Sequence, residues 1–171
     1  MNKIPSVNLN DFLSDNQVLK QKFVAEIGHA YESIGFVALK GHFLKEALVA
    51  SLYKEVKAFF DLPLSTKKQY EIPGIGGQRG YVSFGKESAK GRKEGDLKEF
   101  WHFGQFVENN PKLEKEYHPN VEVKELENFN AVGKQTYRML EKTAKYVLRA
   151  LALDLDLEET YFDAFIHNGN S

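Results

Sequence analysis

The residues Ala30-Tyr31-Glu32-Ser33-Ile34-Gly35-Phe36-Val37 are the most informative about the fold, because they join an apolar-faced helix to a compact apolar run. Glycine commonly ends a helix, since it adopts the left-handed conformation without steric cost, so Gly35 is a natural stop. The run from Phe36 to Leu39 then predicts a strand that is buried, apolar on both faces and rich in core contacts. The helix before Gly35 is predicted from apolar residues at helical spacing: Leu19, Phe23, Ile27, Ala30 and Ile34.

Further strands and helices are predicted on both sides of this stretch. On the N-terminal side, Ile4 to Leu9 predicts a short strand, and Ser14 with Gln17 has the form of a capping box that would start the helix. On the C-terminal side, Gly41-His42 predicts a turn and the next helix runs from about Lys45 to Phe60. Phe59 and Phe60 are predicted core residues, as are Ile27 and Phe36 of the flanking elements.

The middle of the chain differs from both ends. Residues 71–95 carry seven glycines among charged side chains, which predicts a long irregular segment, and such loops are often functional. Phe100 to Phe103 predicts a strand, and apolar spacing predicts one long helix from Val123 to about Leu153. The fold class predicted is therefore α+β, mainly helical with a few strands, and no domain boundary is evident within residues 1–171.

Composition excludes several classes of function. The chain has 171 residues, a net charge of −1 and no cysteine. Disulfides, zinc–thiolate sites, iron–sulfur clusters and cysteine nucleophiles are excluded. The balanced charge argues against nucleic-acid binding. No apolar run is long enough for a membrane span, and no signal peptide is evident, which predicts a cytoplasmic protein without membrane attachment.

Individual motifs do not define an active site. Gly80 to Lys86 fits G-x-x-x-x-G-K, but Glu87 stands where a phosphate-binding loop needs Ser or Thr, so that interpretation is rejected. A mononuclear iron site of the facial type needs two histidines and one carboxylate, commonly as His-x-Asp plus a distant His. No histidine here has an acid two residues later, so no metal ligand and no catalytic residue is assigned, and no iron site with catalytic geometry is expected. The five histidines are His29, His42, His102, His118 and His167.

Several weak motifs in one order carry a family resemblance. Ile4-Pro5-Ser6-Val7-Asn8-Leu9, the Ala30–Val37 element and Lys40-Gly41-His42 resemble the opening, the helix-to-strand element and the turn of oxygenases related to isopenicillin N synthase. In the turn, Lys40 and Phe43 replace the family's Asn and trailing Gly. Further along the chain, Phe59-Phe60-Asp61-Leu62-Pro63-Leu64 with Lys67, then Gly80-Tyr81, and then Asp96-Leu97-Lys98-Glu99-Phe100 are similar to that family's later segments.

The resemblance implies the N-terminal region of an iron(II), 2-oxoglutarate-dependent oxygenase. It implies that the strands join a double-stranded β-helix, or jelly roll, lying beyond residue 171, and that the long helix backs its major sheet. The chain would then be a fragment whose partner is the missing jelly-roll half. In a full-length parent enzyme, iron(II) and 2-oxoglutarate would oxidise a small-molecule substrate; neither cofactor is expected to bind this chain alone.

Candidate site residues are limited to walls of the parent's substrate pocket. Alternate strand residues share a face, so Glu99 and Trp101 are expected to face the cavity, with Arg79 and Tyr81 on a loop at its mouth. The alternative is that neither residue has a role in substrate binding, with Trp101 in the core and Arg79 facing solvent. Two rival functions stay open: a non-catalytic helical interaction module, and a fragment that folds only with its other half.

Overall fold

The computed structural model describes residues 3–87, 91, 94–107 and 110–166. Residues 167–171, which are turn-forming in type, and the basic residues Lys90, Arg92 and Lys93 of the glycine-rich segment lie outside this description. The described chain divides into two compact units. The first unit comprises residues 3–45 and 138–166, and the second comprises residues 46–137.

The first unit combines a small parallel sheet with helices. Strand β1 (Ser6–Asn8) is followed by helices α1 (Leu9–Leu13) and α2 (Gln17–Ser33), and then by strand β2 (Ala38–Lys40). The two strands pair in parallel, with Val7 opposite Leu39. The unit also contains the later part of helix α6 (Phe129–Asp154) and the short helix α7 (Asp163–Ile166). Its core consists of these buried residues: Val7, Leu9, Phe12, Phe23, Ile27 and Ala150.

Helix α2 begins two residues later than a cap at Ser14 would place it. The side chain of Asn16 accepts hydrogen bonds from the backbone N–H groups of Val18 (3.0 Å) and Leu19 (3.3 Å), so Asn16 is the cap. The capping-box prediction is wrong because Ser14 closes α1 instead, donating to the carbonyl of Asp11. The predicted stop is confirmed: Gly35 has φ +79° and its N–H binds carbonyls of the last helical turn.

The prediction that Phe36 is a core residue is wrong. Its side chain is 68% exposed, whereas Ile27 is fully buried as predicted. The physical reason is the position of the strand. Only Ala38–Lys40 pair with β1, so Phe36 lies in the connection after Gly35. Strand β2 is itself half-exposed, with only Leu39 turned partly inward, so the expectation of a strand buried on both faces is also wrong.

The second unit is built around aromatic rings. Helix α3 (Glu46–Phe60) is followed by α4 (Leu64–Lys67) and one 3₁₀ turn (Lys68–Tyr70). Strands β3 (Gly80–Val82) and β4 (Phe100–His102) pair antiparallel, with Tyr81 opposite Trp101. Helix α5 (Leu113–Glu116) and the first part of α6 complete it. The buried core consists of Phe59, Tyr70, Tyr81, Val123 and Phe129.

The mixed helix-and-strand class is confirmed, with two differences in detail. The segment 71–95 is not irregular throughout, because β3 lies inside it. The long helix begins at Phe129 rather than Val123, since the Asn130 side chain binds both backbone polar groups of Val123 and holds the preceding turn outside the helix. Among the described residues, no helix is both long and apolar enough to cross a membrane.

Candidate substrate-pocket wall

The glycine-rich segment lines a half-open cavity of about 290 Å³ beside strand β3. Tyr81 lines it, together with Glu71, Lys86 and the backbone of the glycines at 74, 76 and 77. Gly80 is required at the start of β3: its φ is +75°, and a Cβ there would lie 2.4 Å from the carbonyl oxygen of Tyr70. The loop can therefore pass close to the 3₁₀ turn only because this position lacks a side chain.

A buried charge network lies behind Tyr81. The Lys67 ammonium donates to both carboxylate oxygens of Glu99, at 3.0 and 2.9 Å, and to the carbonyl oxygen of Phe60 at 3.0 Å. The hydroxyl of Tyr81 donates to the same carboxylate. Only 7% of Lys67 is exposed. A buried ion pair needs such additional hydrogen bonds, because desolvation of both charges opposes their attraction.

The network also sets protonation states. Desolvation by burial would raise the pKa of Glu99, but hydrogen bonds from Tyr81 and Lys67 outweigh it, so the pKa lies below its ordinary value. Desolvation and the hydrogen bond to Glu99 both raise the pKa of the Tyr81 phenol. At neutral pH Glu99 is thus a carboxylate and Tyr81 a neutral phenol, so the carboxylate accepts hydrogen bonds from both Tyr81 and Lys67.

Trp101 belongs to the aromatic core of this unit. Its ring centroid lies 4.8 Å from that of Phe59 and 5.0 Å from that of Phe129, both in edge-to-face geometry. Its Nε1 is buried and has no hydrogen-bond partner within the part of the chain described. The neighbours Phe100 and His102 lie on the opposite face of β4, with ring centroids 4.7 Å apart.

Arg79 is buried rather than solvent-facing, with 5% of its surface exposed. Its guanidinium donates to the carbonyl oxygens of His118 (3.2 Å) and Gln78 (2.7 Å). Gly104 makes this placement possible, since a Cβ there would lie 1.7 Å from the centre of the guanidinium. Arg79 therefore fastens the end of the glycine-rich segment to the chain around His118.

Three of the four predicted wall residues lie close together: Tyr81, Glu99 and Trp101. Their arrangement differs from the predicted one. Tyr81 lies in a strand rather than on a mouth loop, and it bonds directly to Glu99. Trp101 packs below them on Phe59, which Tyr81 also touches. Arg79 stands apart from this group. The sequence did not predict that Lys67 is the partner of Glu99. Lys67 belongs to the family-like segment that begins at Phe59, but neither its spacing nor a hydrophobic period indicates that it is buried.

The described residues do not form an iron site. In residues 3–166, leaving out the gaps given above, no three side chains of His, Cys, Asp or Glu come together as a metal cluster. His102 is instead held by its Nδ1, 2.6 Å from the carbonyl oxygen of Gly77.

Residues 4–125 match the family model described as the N-terminal region of a non-haem dioxygenase in morphine synthesis. The chain is 34% identical to a 2OG-Fe(II) oxygenase family protein from Caulobacter crescentus, with a TM-score of 0.85 over 99% of this chain and 54% of that one. It is 25% identical to a C-terminally truncated protein of Neurospora crassa in apo form, with a TM-score of 0.75 over 98% and 58%. The chain belongs to the isopenicillin-N-synthase-like 2-oxoglutarate–iron(II) oxygenase family.

Curated relatives agree with this assignment. A 2-oxoglutarate-Fe(II) type oxidoreductase of Aspergillus fumigatus is 30% identical over 93% of this chain and 49% of its own length. The proline hydroxylase buaE of Petromyces alliaceus is 27% identical over 94% and 50%. The chain thus spans about half the length of the curated relatives it matches.

Proposed function

We propose that this chain is the N-terminal scaffold of a 2-oxoglutarate-dependent iron(II) oxygenase acting on a small molecule, and that a jelly roll in the parent enzyme supplies the iron and 2-oxoglutarate site. The observation that carries the proposal is the alignment of nearly the whole chain with about half of an oxygenase at a TM-score of 0.85. The full-length Neurospora protein has been crystallised with α-ketoglutarate and thymine, which is the kind of cofactor and substrate the proposal carries over.

The strands support an incomplete assembly. Each sheet among the described residues has two strands of three residues, and the one further bridge recorded there joins Gly80 of β3 to Glu71. Most of the outer strand edges are therefore open. Two-stranded sheets are marginal alone, and open edges pair readily with further strands. Added strands from a jelly roll would satisfy these edges.

Within the parent, Arg79, Tyr81, Glu99 and Trp101 are proposed to form and hold the wall of the substrate pocket. Tyr81 would form part of the cavity wall, while Glu99 and Lys67 hold its phenol in the buried core behind that wall. Arg79 and Trp101 would act from behind, by holding the glycine-rich segment and the aromatic core in place.

A chimera tests the proposal. The 171-residue chain replaces the matching region of the Caulobacter oxygenase, and conversion of 2-oxoglutarate to succinate is followed with and without iron(II). Iron-dependent succinate formation is expected, because the scaffold would restore the missing surface of the jelly roll. The Tyr81→Phe chimera should keep this turnover but change the KM for any substrate the chimera accepts, since only the phenol hydroxyl is lost.

The alternative is a non-catalytic helical interaction module. A folded chimera with no iron-dependent turnover, in which the 171-residue chain melts independently of the jelly roll, would favour that alternative and contradict the scaffold proposal.

A further inference from the structure

Helix α3 carries a buried carboxylate on an otherwise apolar side. Glu55 is only 9% exposed, and it lies one helical turn before the fully buried Phe59. Leu48 and Leu52 precede it at helical spacing, so all four residues share one face of the helix. The two leucines are partly buried but belong to neither core cluster of the described residues. Leu48, Leu52 and Glu55 are called the α3 stripe below.

The Glu55 carboxylate lacks a partner. Among the residues that the structure describes, no hydrogen bond and no ion pair reaches it. The helix itself offers no cation there, because the residues three and four positions away are Ser51, Leu52, Ala58 and Phe59. Glutamate is rarely buried unless it is paired, since the lost hydration of the charge is otherwise not recovered. The arrangement therefore points to a cationic partner that the described residues do not supply.

The carboxylate of Glu55 can be reached from outside the chain. Its oxygens keep some contact with solvent, unlike the fully enclosed Nε1 of Trp101. The α3 stripe thus combines two partly exposed leucines with a recessed negative charge. A partner that packs apolar side chains on Leu48 and Leu52 would bring an ammonium or guanidinium group within reach of Glu55.

The cost of an unpaired buried charge favours a permanent partner. A transient partner would leave that cost in place whenever it dissociates. The chain covers 54% of the Caulobacter oxygenase, and under the proposed function the remainder of the parent is a jelly roll in the same polypeptide. A second copy packed through the same surface would bring another Glu55 rather than a cation.

We infer, resting on the proposed function, that the α3 stripe docks against the jelly roll of the parent enzyme and that an arginine or lysine of the jelly roll pairs with Glu55.

Amide hydrogen exchange of residues 46–60, in the 171-residue chain and in the Caulobacter chimera, tests the inference. Glu55→Gln keeps the shape of the side chain and removes its charge. In the 171-residue chain it should slow the exchange of α3 by about threefold or more, because no buried charge is left unpaired. In the chimera it should speed that exchange at least about tenfold, because the basic partner loses its carboxylate.

Glu46→Gln is the matched control, since Glu46 is an exposed carboxylate in the first turn of the same helix. Its loss removes only a favourable charge at the helix N-terminus, so exchange should become faster by about fivefold at most, and to the same extent in both proteins. A reversal of the effect between the two proteins is therefore expected of Glu55→Gln alone.

An effect of Glu55→Gln with the same sign in both proteins, or no effect in the chimera, would overturn the inference. Faster exchange of the 171-residue variant that depends on protein concentration would assign Glu55 to a contact between copies of the chain, and would overturn it equally. Iron-dependent succinate formation by the chimera is a separate measurement. Turnover without the reversed exchange effect refutes this docking contact alone, whereas a chimera without turnover refutes the scaffold proposal and the contact with it.

Discussion

Phe59 is the residue at which the aromatic rings of the second unit meet. It is fully buried and its ring contacts those of Phe60, Tyr70, Tyr81, Trp101 and Phe129. Phe59→Ala should cost about 3–5 kcal/mol in the free energy of unfolding, because it removes the ring and leaves a cavity. Urea denaturation followed by Trp101 fluorescence measures it.

Phe36→Ala is the control for this prediction. The exposed Phe36 side chain should contribute no more than about 0.5 kcal/mol. Equal losses at both positions would contradict the core assignment. The comparison also shows why an apolar run alone misleads: the residues at 36 and 59 are the same amino acid, and only tertiary packing distinguishes them.

The Lys67–Glu99 pair gives a prediction with a pH signature. Lys67→Met leaves a largely buried carboxylate without its cation and should destabilise the fold at pH 7 by about 3 kcal/mol. Because the folded-state pKa of Glu99 lies below its ordinary 4.5, the pair contributes stability above pH 4.5 and loses it as the pH falls through the folded value. Melting temperatures of wild type and variant should therefore converge as the pH is lowered through that range.

Lys57→Met is the matched control, since Lys57 pairs with Asp61 on an exposed surface and such pairs contribute about 0.5 kcal/mol or less. A Lys67→Met deficit that stays constant from neutral to acidic pH would show that the lost alkyl packing, not the charge pair, is responsible.

Helix starts were the least predictable features at the scale of elements. The apolar period predicts α2, α3 and α6 because each carries a repeating apolar side that is at least partly buried. The period cannot tell which polar residue caps a helix when several stand together. Asn16→Ala should cost about 1 kcal/mol, as expected for loss of a side-chain cap, and more than Ser14→Ala. Chemical denaturation of the two variants decides, and a larger loss for Ser14→Ala would restore the capping box.

Asp163 of helix α7 forms ion pairs with two basic residues of α6. Asp163 accepts from the Arg149 guanidinium at 3.2 and 2.6 Å, and Lys145 lies 3.1 Å away. The Arg149 hydrogen bonds, followed by those of Lys145, outweigh desolvation and lower the pKa of Asp163 from 3.8 to about 2. Its stabilising contribution is therefore present above pH 3.8 and lost as the pH falls toward 2.

Asp163→Asn should release α7, seen as faster amide hydrogen exchange in residues 155–166 at mildly acidic pH, while wild type should show the same loss of protection only near pH 2. Asp61→Asn, in an exposed pair, should leave that exchange unchanged. Slow exchange in Asp163→Asn at mildly acidic pH would mean that apolar contacts alone hold the helix.

For the whole molecule, the family could be recognised because several weak motifs occur in the expected order, and no single motif would have been enough. The glycine-rich segment, Gly80-Tyr81 and the entry into β4 are close in the structure, but their sequence separation hides the contact of Tyr81 with Glu99. The hydrogen bonds of Asn120 and Asn130 could not be predicted either, because they join segments without a motif and depend on loop conformation.

We expect this chain to be a scaffold that a jelly roll completes. Light scattering with apolar-dye binding, on the 171-residue chain and on the Caulobacter chimera, distinguishes a scaffold from a complete domain. The open edges of two short sheets and exposed side chains such as Phe36 and Leu97 predict that the chain alone self-associates and binds dye, while the chimera stays monodisperse and dye-free. A monodisperse 171-residue monomer that melts cooperatively without binding dye would contradict the claim.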